Sequence, residues 1–237
     1  MDKSLLEIRG LSSGYGDLRV LQNICLHLKE GEIIGVIGHN GAGKSTLLRA
    51  IVGLSPLWSG QILLSGSLIH FHQPSEARLN GVAYFPQGGR VFPSLSIREN
   101  LLIGGAVLRD KQQVGDRISE VYERFPILHM RSRLPASSLS GGERQMLALA
   151  TGLMSKPRLL LVDEPSLGLS PRIAKEVLSR LHALAYETGA GVIVVEQRVR
   201  ELVKHTDRIY ALRRGQVSYE GVGSELLNEA MLMKVYL

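Results

Sequence analysis

At 237 residues, with 44% hydrophobic side chains, the chain is long enough to bury a sizeable core as one large domain or as one domain carrying an insert. A single cysteine excludes a disulfide framework and fits a reducing cytosolic compartment, and no apolar run approaches the roughly 20 residues that a membrane-crossing helix needs. The net charge of +6 would suit nucleic acid, anionic lipid or a nucleotide, yet the basic residues are scattered and the aromatic residues few, so charge alone selects none of them.

Met1-Asp2-Lys3-Ser4 leads into the strand-like LLEIR rather than the apolar segment of a signal peptide, so a soluble or peripheral chain is expected. Strand patterns cover Leu5 to Arg9, Leu21 to Leu28 and, after a turn at Glu30-Gly31, Glu32 to Ile37. Cys25 falls inside the second run and is expected as a small buried hydrophobe rather than a reactive thiol.

The apolar run Ile33-Ile34-Gly35-Val36-Ile37 is followed at once by GHNGAGKST, Gly38 to Thr46. Gly38, Gly41 and Gly43 lack Cβ atoms, so the turn can reach left-handed dihedrals and aim its N–H groups at one point. The residues from Lys44 to Val52 have a helical pattern, and the first turn of that helix directs its orphan N–H groups and partial positive charge at the same point. Strand, loop and helix carry GxxxxGK[ST] in full, the pattern of a phosphate-binding loop. Gly38, His39, Asn40, Gly41, Ala42, Gly43, Lys44, Ser45 and Thr46 are therefore the candidate nucleotide-binding residues, with Lys44 on the β- and γ-phosphates and the Ser45 hydroxyl on Mg²⁺.

A turn at Ser59-Gly60, a strand from Gln61 to Leu64 and a strand ending in Val82-Ala83-Tyr84-Phe85 come next. The pattern then turns helical over Ile97 to Leu108 and Val114 to Phe125, with breaks at Pro93, Pro126 and Pro135, which implies a helical insert. LSGGERQ, Leu139 to Gln145, again sets small residues ahead of an apolar-periodic helix containing Met146, Leu147, Leu149 and Ala150. Ser140, Gly141 and Gly142 read either as a plain helix cap or as a second anion-binding helix start, one that serves another molecule's nucleotide.

Leu159 to Val162 reads as a fully buried strand that delivers Asp163 to its carboxyl end, within reach of a metal, with Glu164 next in line to accept a proton from an attacking water or to orient it. A helix from about Pro171 to Glu187, closed by Gly189, and a buried strand from Gly191 to Val195 complete an α/β alternation. The alternation predicts a mostly parallel sheet with ligands at the strands' carboxyl ends. No internal repeat or low-complexity tract interrupts it.

With these motifs in this order, the sequence resembles the ATP-binding subunits of ABC transporters over almost its whole length. Gly38 to Ser45 matches the Walker A loop, Gln87 the Q-loop, Leu139 to Glu143 the signature motif, and Leu159 to Glu164 the Walker B strand with its catalytic glutamate. The resemblance implies a P-loop ATPase core over 1–86 and 156–237 with a mostly parallel sheet, an N-terminal antiparallel β subdomain, and an inserted helical subdomain over about 87–155. It implies ATP and Mg²⁺, the metal held by Ser45, Gln87 and Asp163, and hydrolysis through Glu164, Gln87 and Gln197. Tyr15, in GYG, falls where the family stacks an aromatic ring on adenine. The implied partners are a paralogous or identical ATP-binding subunit in a head-to-tail dimer, two membrane permease subunits and an external solute-binding protein, with no nucleic acid. Each ATP would lie between one subunit's Walker A and the other's Ser140, Gly141 and Gly142, at the cytoplasmic face of the membrane.

Two positions depart from the wider family. The loop Ser166-Leu167-Gly168-Leu169-Ser170 ends in Ser where Asp is usual, and Gln197 stands in place of the switch histidine. DEPSLGLSP, VEQ, GGRVFPSLSIREN and the ending VYL are similar to the smaller ATP-binding subunit of branched-chain amino-acid importers. Importers of urea or short amides share these features, exporters or lipid transporters share the fold, and a nucleic-acid-linked ABC ATPase is the further alternative, favoured only by the positive charge.

Overall fold

Alternation in the first 30 residues builds strands with one buried face, and the continuous apolar runs further on build strands buried on both faces. In a computed structural model, which describes residues 4–108 and 110–236, the chain runs β1 (Ser4–Tyr15), β2 (Leu18–Lys29), β3 (Ile33–Ile37), α1 (Lys44–Ile51), β4 (Leu57–Leu64), β5 (Ser67–Ile69), α2 (Pro74–Leu79) and β6 (Val82–Phe85). Helices α3 (Ile97–Gly104), α4 (Lys111–Arg124), α5 (Pro126–Met130) and α6 (Gly141–Leu153) follow. The chain then returns through β7 (Leu159–Asp163), α7 (Pro171–Thr188), β8 (Gly191–Val195), α8 (Val199–Leu202), β9 (Arg208–Arg213), β10 (Gln216–Gly221) and α9 (Glu229–Tyr236).

One sheet is antiparallel, in the order β2-β1-β4-β5; the other has the order β10-β9-β3-β8-β7-β6, parallel except for β10 at its edge. One face of the six-stranded sheet shares a core with α3, α4, α5, α6 and α7 through residues such as Phe85, Leu101, Val121, Leu147 and Leu178. The other face packs with α1 and the antiparallel sheet through Leu47, Leu48, Ile8 and Leu26. Strands β3, β7 and β8 lie side by side, which brings the loops at their carboxyl ends together.

Several local expectations need correction. Cys25 is exposed, because the alternation that buries Ile24, Leu26 and Leu28 turns the residue between them outward. Ser59-Gly60 is not a turn but an irregularity within β4. At Gly60 (φ 91°) a Cβ would come within 2.6 Å of the backbone of Gly10 and Arg9, and the pairing with β1 slips between Arg9 and Ser12. The first insert helix stops at Gly104 instead of reaching Leu108, since Gly104-Gly105 propagates a helix poorly. The second begins at Lys111, three residues earlier than expected, because the Asp110 side chain caps it by accepting from the Gln113 N–H at 2.8 Å. Residues 1–3, and Leu237 of the VYL ending, lie outside the described residues.

Candidate functional site

The loop after β3 holds three glycines with left-handed backbone: Gly38 (φ 150°), Gly41 (φ 81°) and Gly43 (φ 102°). At Gly38 a Cβ would also meet the Leu212 carbonyl oxygen at 2.3 Å, and at Gly43 the Leu21 side chain at 2.5 Å. Packing as well as dihedral angle therefore demands glycine at those two positions. Lys44 is 5% exposed and folds back over the loop, its Nζ donating to the carbonyls of Gly38 (2.8 Å) and His39 (3.1 Å). Burial lowers its pKa, against the pull of the nearby carboxylates Glu164, Asp163 and Glu196. Gly43 caps α1 without a side chain, and among the described residues no protein acceptor takes the backbone N–H groups of Lys44, Ser45 or Thr46. Open N–H groups, a positive helix end and one buried cation are the chemistry that suits an anion.

Asp163 closes β7 directly opposite. Its Oδ1 accepts from the Ser45 hydroxyl at 2.9 Å and its Oδ2 from the Tyr84 hydroxyl at 3.2 Å. Burial raises the pKa of Asp163, opposed by these two hydrogen bonds. Burial and the adjacent carboxylate push the Tyr84 phenol up to about 12. Ser45 and Asp163, with the Gln87 amide oxygen, offer only hard oxygen donors, the chemistry that suits Mg²⁺ shared with phosphate and water.

Glu164 is 6% exposed and sits in the left-handed region (φ 47°), its N–H donating to the Val195 carbonyl at 2.9 Å. Its Oε2 accepts from Gln87 Nε2 and its Oε1 from Gln197 Nε2, each at 2.8 Å. Amides from the loops after β6 and β8 thus hold both carboxylate oxygens, so Gln87, Glu164 and Gln197 form one cluster. The left-handed backbone costs about 1–3 kcal/mol for a residue with a side chain.

Tyr15 ends β1 and is 41% exposed, and its hydroxyl accepts from Arg49 of α1 at 3.4 Å. Ser140 and Gly141 are exposed and Gly142 is buried at the start of α6. Ser140 forms a capping box with Glu143: the Ser140 hydroxyl accepts from the Glu143 N–H at 3.3 Å, and the Glu143 carboxylate from the Ser140 N–H at 2.8 Å. Among the described residues no hydrogen bond joins Ser140, Gly141 or Gly142 to the loop at Gly38–Thr46.

The sequence reading overlooked Tyr84, Gln145 and Glu196. Glu196 is 2% exposed and accepts from the Ser166 and Gln197 N–H groups at 2.8 and 3.2 Å, while Gln145 donates to the Pro165 carbonyl at 2.8 Å. A charged residue set directly on the end of the buried run GVIVV was the available signal for Glu196.

Residues 21–167 match the family model described as ABC transporter. The chain is 39% identical over 225 residues to a probable branched-chain amino acid transport ATP-binding protein, LivF, of Archaeoglobus fulgidus, covering 95% of each chain. It is 39% identical over 233 residues to the high-affinity branched-chain amino acid transport ATP-binding protein BraG of Pseudomonas aeruginosa, covering 98% of this chain and 99% of that one. The lipopolysaccharide export system ATP-binding protein LptB of Escherichia coli K12 is 34% identical over 240 residues, 98% of this chain and 96% of that one. In structure, the chain superimposes on the ADP conformation of an ATP-binding cassette of an ABC transporter with a TM-score of 0.88 at 22% identity, covering 98% of each.

Proposed function

We propose that this chain, which belongs to the ABC transporter family and is an ATPase, powers an importer of branched-chain amino acids from the cytoplasmic face of the membrane. The observation that carries the mechanism is the Glu164 carboxylate gripped by two amides beside the Ser45–Asp163 pair. ATP would place its phosphates on the loop Gly38–Thr46 and its base against Tyr15. Ser45, Asp163 and Gln87 would hold Mg²⁺, which when bound neutralises charge on the phosphate oxygens. Lys44 would turn its ammonium from the two loop carbonyls to the phosphates, and Glu164 would accept the proton of the attacking water. Gln197 can position that water or a phosphate oxygen, but its neutral amide carries no proton.

Ser140, Gly141 and Gly142 would close over the nucleotide of a second ATP-binding subunit in a head-to-tail dimer. Residues 87–155 would act as the helical subdomain that carries this closure toward two permease subunits, with an external binding protein delivering the solute. None of the described helices is long and apolar enough to cross a membrane, in keeping with separate permease subunits. The experiment is reconstitution with matched permeases and binding protein. ATP hydrolysis should rise when the binding protein carries a branched-chain amino acid, and absence of any response would overturn the importer reading. The similarity to LptB favours lipid export as the second reading, which stimulation by a lipid substrate instead would support.

A further inference from the structure

We propose that Glu196 is a positioning residue for hydrolysis, whose buried carboxylate locks the start of the 166–170 loop to the backbone of Gln197 and so fixes where the Gln197 amide meets Glu164. The inference rests on the roles proposed above for Glu164 and Gln197.

Glu196 follows β8 and is held there by its own N–H, which donates to the Val36 carbonyl of β3 at 3.3 Å. Its two carboxylate oxygens serve two different loops. Oε1 takes the N–H of Ser166, just past the β7 end, and Oε2 takes the N–H of Gln197. Burial raises the pKa of Glu196, opposed by hydrogen bonding from Ser166 and from the backbone of Gln197 and Arg198. A carboxylate at 2% exposure is costly to desolvate, and its two acceptor oxygens are what two separate N–H donors require; an amide in its place would face one of them with an NH₂ group. With Asp163 and Glu164, Glu196 makes a third buried carboxylate in the field of Lys44, and among the described residues its hydrogen bonds go to neither the phosphate loop nor the proposed metal ligands.

The contacts continue around a closed ring. Ser166 follows Pro165, whose carbonyl accepts from Gln145 of α6 at 2.8 Å. The Gln145 side chain lies so close to Gly89 that a Cβ there would meet its Oε1 at 1.9 Å, and Gly89 is two residues from Gln87. Gln87 and Gln197 then meet on the two oxygens of Glu164. The 166–170 loop also carries Leu167, 48% exposed, outward from this ring. A load on that loop or on α6 reaches Gln197 through Glu196, by hydrogen bonds of 2.8 Å at Pro165 and Ser166 and of 3.2 Å at Gln197. Glu196 touches no reacting atom; it acts through Gln197.

The test is a double-mutant cycle on the full chain, assembled with the subunits it hydrolyses with, using Glu196→Gln, Gln197→Ala and the pair. Glu196→Gln keeps shape but turns an NH₂ group toward a backbone N–H. Its kcat should fall at least about fivefold, with KM for ATP and ATP affinity within twofold of the parent. The pair should be no more than about twofold slower than Gln197→Ala alone, because both changes act on one amide. Glu196→Asp, which keeps two acceptor oxygens on a shorter arm, takes the same place in the cycle if the amide variant shows no cooperative melt. A kcat within twofold of the parent for both Glu196 variants, or rate losses that simply multiply in the pair, would overturn the proposal while leaving the Gln197 role intact. Parental hydrolysis by Gln197→Ala would instead remove the Gln197 role and this proposal with it.

Discussion

The starts of α1 and α6 are built from similar residues, yet only α6 meets part of its orphan N–H groups with a side-chain cap. At α1 the cap is Gly43, the first turn carries no acid, and the N–H groups of Lys44, Ser45 and Thr46 stay open above a buried lysine. At α6, Ser140 and Glu143 satisfy each other's backbone in a capping box. Small residues ahead of a helix therefore do not by themselves make an anion site. At α6 the capping box takes the Glu143 and Ser140 N–H groups but, among the described residues, leaves those of Gly141 and Gly142 without a protein acceptor; what distinguishes α1 is that no side chain caps it and a buried lysine lies beside its open N–H groups. In the proposed function the first start holds phosphate by itself, whereas the second meets a nucleotide only across a dimer.

Substitutions can break or sharpen that contrast. The largest effect belongs to Lys44→Ala, which removes the one buried cation of the loop. ATP affinity measured by calorimetry should fall at least about 100-fold, equivalent to about 2.7 kcal/mol. Parental affinity would mean that the α1 start is not the phosphate site. Gln197→Ala should slow steady-state hydrolysis about tenfold, or about 1.4 kcal/mol, with a smaller change in ATP binding. A rate within twofold of the parent would leave Glu164 positioned by Gln87 alone. Tyr15→Ala gives up about 0.5–1.5 kcal/mol of stacking. A several-fold weaker ATP affinity and poorer discrimination against GTP should follow, and unchanged binding would make Tyr15 a purely structural residue. Smallest of all, Ser140→Ala should cost about 1 kcal/mol of stability through the lost cap, read from denaturant unfolding. It should leave ATP affinity of the isolated chain untouched, and a large loss of that affinity would erase the distinction between the two helix starts.

The features that were legible in the sequence share a physical basis. GHNGAGKST and LLLVDEP combine a buried strand with a fixed chemistry at its end, so both the parallel sheet and the meeting of Ser45 with Asp163 could be anticipated. Periodicity likewise located α3, α4 and α7, although their boundaries moved where Asp110 capped early and Gly104-Gly105 stopped a helix. Strands β9 and β10 were not anticipated, since RIYALR and QVSYEG mix charge with apolar residues as edge and near-edge strands do. Glu196 was hidden because its partners, the N–H groups of Ser166 and Gln197, are backbone groups that no side-chain pattern announces. Tyr84 was read only as part of a strand, because its link to Asp163 spans 79 positions and depends on the pairing of β6 with β7.

The central claim is that Glu164 takes the proton of the attacking water while the α1 loop independently binds the nucleotide. The most direct measurement is ATP affinity and turnover of Glu164→Gln side by side with the parent, in the presence of the partner subunits. The amide keeps the shape and cannot accept the proton. ATP binding within about threefold of the parent, with turnover reduced at least about 100-fold, or about 2.7 kcal/mol in barrier, is the predicted result. Turnover within a few-fold of the parent would contradict the account.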